Sequence, residues 1–118
     1  MRFSLVQLRV FAQKWKSARL TDEDLQALEQ VLIERPNAGD PMRGTGGLRK
    51  IRFAPRSRFQ GKSGALRVCY ASYPAFGLIF LVTLFAKNEQ GNLVPAERKA
   101  VKALLERITA SLREETSR

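Results

Sequence analysis

The sequence predicts an α+β domain: a small antiparallel β-sheet with an N-terminal helix pair and a C-terminal helix packed on it. Three observations predict it. Apolar residues recur at helical spacing in two N-terminal segments and in one C-terminal segment. Between them lie three runs of strand character, separated by turn residues. No repeat or linker divides the 118 residues, so one domain over residues 1–118 is expected.

The elements follow in order. Leu8, Phe11, Ala12 and Trp15 keep helical spacing, which predicts a first helix from about Leu5 to Ser17, with Phe3 in a short leading strand and Trp15 in the core. Thr21-Asp22-Glu23-Asp24 has the pattern of an N-cap followed by acids in the first turn. Leu25, Leu28, Val31 and Leu32 then form the stripe of a second helix, which Pro36 ends. Asn37 to Pro41 reads as a loop. Gly44-Thr45-Gly46-Gly47 lacks the Gly-Lys-Ser/Thr ending and the following helix of a phosphate loop, so it reads as a tight lead-in to a strand, Leu48 to Phe53 or Ala54. Alternation puts Leu48, Lys50 and Arg52 on one face of that strand and Arg49, Ile51 and Phe53 on the other.

Pro55 to Gly64 is a polar, basic connection to a second main strand, Leu66 to Tyr73. Pro74-Ala75-Phe76-Gly77 makes a short turn into the third, Leu78 to Phe85, whose near-continuous apolar run predicts the central strand. Pro95 suits the first turn of a last helix, with Val101, Leu104, Leu105, Ile108 and Leu112 as its buried stripe and a fraying tail from Arg113. Helices are expected on one face of the sheet and the basic residues on the other.

Charge narrows the function. The formal net charge is +10. No acidic residue occurs between Asp40 and Glu89, a stretch that holds nine basic ones: Arg43, Arg49, Lys50, Arg52, Arg56, Arg58, Lys62, Arg67 and Lys87. The rest of the chain carries 12 basic and 11 acidic residues and nearly balances. A one-sign block on strands and loops attracts a polyanion, and a nucleic acid fits better than a membrane surface, which favours an amphipathic helix. The longest apolar stretch, Phe76 to Ala86, is too short to span a bilayer, and no secretory signal is read at the N-terminus. Cys69 is the single cysteine and reads as a core residue; with no export signal it points to the cytoplasm. The chain has no histidine, which excludes Cys/His and Ser/His/Asp catalysis and leaves no usual zinc set, so neither metal nor cofactor is expected.

The run Gly39-Asp40-Pro41-Met42-Arg43-Gly44-Thr45-Gly46-Gly47-Leu48-Arg49-Lys50-Ile51-Arg52 resembles the hallmark of the HigB branch of RelE-type toxins. Three further places share the likeness: Gly64-Ala65-Leu66-Arg67-Val68-Cys69-Tyr70, Phe85-Ala86-Lys87-Asn88-Glu89, and a closing helix that starts near Leu93 and Pro95. The resemblance spans residues 20 to 112, and the Gly-Thr-Gly-Gly-Leu-Arg-Lys-Ile-Arg run is its specific part. It implies a RelE-like microbial RNase fold and ribosome-dependent cleavage of mRNA. It further implies a cognate helix-turn-helix antitoxin of the HigA type, through which the pair would bind operator DNA.

The chemistry can run without histidine. RNA is cut when its own 2′-hydroxyl attacks the adjacent phosphorus. Arginine clamps the charge that develops, and a lysine crowded by other cations can act in acid–base catalysis. By family position, Lys50 and Arg52 match the basic pair of the first main strand, Arg67 the phosphate clamp and Lys87 the basic residue after the third strand. The resemblance thus gives Lys50 the base role, helped by Arg52 and Lys87, with Arg67 on the scissile phosphate. Arg56, Arg58 and Lys62 would grip RNA, Phe59 would stack on a base, and Arg49 and Tyr70 would lie at the periphery of the RNA contact. Asn88 stands where many RelE-type toxins carry arginine, and no tyrosine lies near Leu93, so the leaving-group acid stays open. Three alternatives remain: a non-catalytic nucleic-acid-binding module, a ParE-like toxin that inhibits gyrase, and a degenerate toxin serving as corepressor.

Overall fold

The computed structural model describes residues 2–56, 65–86 and 92–117. Strand β1 (Ser4–Gln7) leads into helix α1 (Arg9–Ser17), and helix α2 (Asp22–Glu34) follows. The predicted N-cap is a capping box: Thr21 Oγ1 accepts from the Asp24 N–H at 3.0 Å, and Asp24 accepts from the Thr21 N–H at 3.1 Å. Helix α2 ends at Glu34, two residues before Pro36. Then come β2 (Asp40–Pro41), β3 (Arg49–Phe53), β4 (Leu66–Tyr73), a one-turn 3-10 helix at Pro74–Phe76, β5 (Leu78–Ala86) and α3 (Pro95–Thr116).

The five strands form one mixed sheet in the order β1-β5-β4-β3-β2. The three main strands are antiparallel, as expected from sequence, but β1 pairs with β5 in parallel, Ser4 opposite Leu78. The predicted first helix loses its first turn to this strand, because residues 4–7 find an open edge on β5. Asp40–Pro41, read as loop, pairs with Lys50 and Arg49 as a second edge strand. The central position therefore falls to β4, with β5 interior beside it. Helix α3 continues through the predicted fraying tail to Thr116.

Two apolar layers flank the sheet. On one face Phe11, Trp15, Leu28 and Leu32 of the helix pair pack on Leu66, Val68, Tyr70, Ile79, Leu81 and Leu84. Trp15 stacks between Phe11, at 5.5 Å, and Phe53, at 6.4 Å. On the other face Leu93 and Leu105, with Val101 and Ile108, pack on Cys69, Ala71, Val82 and Phe85. Helices thus cover both faces, which corrects the expectation of one. The reason lies in β4: the face that carries Arg67 continues through Cys69 and Ala71, which are 0% and 2% exposed and need an apolar cover. The stripe of α3 supplies it.

Candidate functional site

The site is built by cross-strand register. Arg52 on β3 lies directly opposite Arg67 on β4, and Lys50 lies opposite Cys69. Opposed residues share a face, and diagonal neighbours stand within reach of long side chains. Arg67 continues to Phe85 on β5, and Cys69 continues to Thr83. Two rows result, Arg52–Arg67–Phe85 and Lys50–Cys69–Thr83. Arg52 is exposed, while Lys50 and Arg67 are half-buried. Three of the four catalytic candidates are therefore brought together on one face.

The Nη1 atom of Arg67 is buried and has no hydrogen-bond partner among the described residues. A guanidinium only donates, so an unused buried N–H of this group is costly until an acceptor arrives. No carboxylate occurs in the sequence between Asp40 and Glu89 to serve it from these strands. The Oγ1 atom of Thr83, in the neighbouring row, is likewise buried and unpartnered among the described residues. Charge and motif did not single out Thr83, since a threonine inside an apolar strand reads as packing.

Tyr70 is a correction, and Arg49 keeps the face that alternation gave it. They lie opposite each other in register, but on the face away from Lys50 and Arg67. Tyr70 is 0% exposed, so it cannot touch RNA. Its hydroxyl donates to the Pro36 carbonyl at 2.8 Å and accepts from the Gly39 N–H at 2.9 Å. Burial raises its pKa, against smaller lowering effects of the Gly39 hydrogen bond and the Arg49 charge. Arg49 donates through Nη1 to the Gly39 carbonyl at 2.6 Å and to the Asn37 carbonyl at 3.3 Å. Both residues brace the segment between α2 and β2 behind the basic face.

Arg56 is exposed just past the end of β3. Lys87, Arg58, Phe59 and Lys62 lie outside the described residues. Phe85 is 4% exposed and belongs to the second apolar layer. Cys69 is a core thiol, 0% exposed, with its Sγ 3.9 Å from the Met42 Sδ. Burial pushes its pKa up to about 12, against smaller lowering effects of Lys50, Lys14 and Arg98.

The glycine-rich run fixes the start of β3. Gly44, Gly46 and Gly47 take φ of 75°, 72° and 117°, the left-handed region that favours glycine. Thr45, 0% exposed, closes the loop: its hydroxyl donates to the Met42 carbonyl at 2.6 Å and accepts from the Leu48 N–H at 3.1 Å. Arg98 ties α3 to the same loop through the Arg43 carbonyl at 2.6 Å. The run therefore sets the register of Lys50 and Arg52 and is no phosphate loop. Among the described residues no group of three or more His, Cys, Asp or Glu could hold a metal ion. No helix among them is long and apolar enough to cross a membrane.

No family model matches the sequence. Among solved structures, the chain is similar to a double arginine-to-alanine mutant of the E. coli toxin RelE in its free state. The TM-score is 0.53 at 17% identity, covering 77% of this chain and 90% of that one. At that identity the likeness speaks to the fold: the chain has a RelE-like α+β fold.

Proposed function

We propose that the chain is the toxin of a type II toxin–antitoxin pair, an endoribonuclease of the HigB branch that cuts mRNA on the ribosome in the cytoplasm. The observation that carries this reading is the cluster of cations on one face, Arg67 directly opposite Arg52 and diagonal to Lys50, with no carboxylate in the sequence between Asp40 and Glu89. A scissile phosphate supplies the anion that this cluster lacks. Arg67 then holds the phosphate and balances the charge that builds on it, with Arg52 as second cation. Lys50 takes the proton of the attacking 2′-hydroxyl, with Lys87 assisting the reaction. The pentacoordinate intermediate breaks to a 2′,3′-cyclic phosphate, and the leaving 5′-oxygen takes a proton from water to become the 5′-hydroxyl. Arg56, with Arg58, Lys62 and Phe59, grips the RNA on the ribosome. A helix-turn-helix antitoxin of the HigA type is the partner that keeps the toxin silent and carries the pair to operator DNA.

The test is a reconstituted translation reaction with the mRNA ends mapped by primer extension, with and without ribosomes, beside Arg67→Ala. Cuts at the A-site codon that require ribosomes and fall at least a hundredfold in the variant are expected. Intact mRNA with a folded wild-type protein sinks the nuclease reading. Retained affinity for RNA in that case points to a non-catalytic binding module, and DNA damage on expression points to a gyrase inhibitor.

A further inference from the structure

Thr83 interrupts an apolar strand, between Leu81-Val82 and Leu84-Phe85. It is 7% exposed, and its hydroxyl has no hydrogen-bond partner among the described residues. Buried hydroxyls are ordinarily satisfied, and one that is not destabilises the fold relative to a valine of the same shape. Packing alone therefore favours valine here.

The other orphan on this face is Arg67 Nη1. The two are complementary, because the guanidinium only donates and the hydroxyl can accept. They stand on paired strands one row apart, Thr83 opposite Cys69 and Arg67 opposite Phe85. The β-bulge beside them, where Val82 is the extra residue between the pairs Cys69–Thr83 and Tyr70–Leu81, turns both Val82 and Thr83 to this face. Ser72, also unpartnered among the described residues, lies opposite Ile79 on the far face and has no part in this.

We propose that Thr83 is a positioning residue for Arg67. Its hydroxyl accepts from Nη1 when the outer edge of the guanidinium, Nε and Nη2, takes the phosphate oxygens, and so holds the fork in one plane. A guanidinium fixed on its inner edge loses less freedom when it binds, which favours a bidentate grip. The proposal rests on the reading of the basic face as an RNA-cleaving site.

The experiment compares Thr83→Val, Thr83→Ser and Arg67→Ala in the full chain. It reads ribosome-dependent cleavage, affinity for a short single-stranded oligoribonucleotide and thermal unfolding. Thr83→Val is expected to lose about tenfold or more in cleavage with Tm unchanged or higher, and Thr83→Ser to restore most of it. A Val variant that cleaves as well as wild type overturns the proposal. So does a Val variant with a lower Tm, because the hydroxyl then serves the fold, and so does a Ser variant as poor as the Val one. If wild type cleaves no RNA, the nuclease reading falls and affinity judges Thr83 alone. Weakened binding in both Thr83→Val and Arg67→Ala supports the positioning role, and wild-type binding in Thr83→Val overturns it.

Discussion

Two backbone groups of the segment after α2, the Pro36 carbonyl and the Gly39 N–H, both end on the Tyr70 hydroxyl. Tyr70→Phe keeps the ring and strands both groups, so it should cost about 1–3 kcal/mol in urea unfolding while cleavage per folded molecule holds. Arg67→Ala should do the reverse. Sequence could not separate these two residues, because both sit on β4 near the basic block and alternation alone places them on opposite faces without saying which face is covered. Cys69 was legible as core, since nothing in the chain could activate it. Its raised pKa has a sign: the protonated thiol is favoured in the fold, so its contribution is whole below about pH 9 and is lost as pH rises toward about 12. The native thiol should resist iodoacetamide near neutral pH and react only on unfolding, read by mass spectrometry.

At the scale of elements, the capping box and the glycine run were plain in the sequence because each is a local solution to a local problem. Thr21→Ala should cost about 1 kcal/mol of stability. A short leading strand was read at Phe3, but its run from Ser4 to Gln7 and the strand β2 were not legible, since four and two residues carry too little pattern and owe their form to the neighbours they pair with. Gly39 marks the same limit. A Cβ there would lie 2.9 Å from the Tyr70 Cε1 and 3.1 Å from the Lys50 carbonyl oxygen, a closeness that exists only once β2 has paired. Gly39→Ala should therefore destabilise the fold by about 1–3 kcal/mol and loosen the brace behind Lys50, seen as a lower Tm and faster amide exchange in residues 36–41. The covering of both faces by helices also escaped the sequence, because an apolar stripe on α3 does not say which side of a sheet it meets.

Across the whole molecule, the excess positive charge was legible in full, and cross-strand register brings Lys50, Arg52 and Arg67 of that block to one face. A cationic face binds RNA by releasing counterions, so affinity should fall linearly on a log–log plot against salt, and each lost cation should flatten the slope by about 0.7. Lys50→Ala or Arg56→Ala should show that flattening in fluorescence anisotropy across a potassium chloride series. Thr83→Val carries no charge change and should shift the line without tilting it. The parallel pairing of β1 with β5 matters on a different axis, that of time. Ser4 is made 74 residues before its partner Leu78. At about 5–20 residues per second the first strand waits several seconds for the strand it must join, and until then neither the helix pair nor β4 has its full floor. A chain cut short before β5 is a set of open edges with no place for Arg67 to be held. The pairing that sets Arg67 opposite Phe85 forms only once β5 has been made.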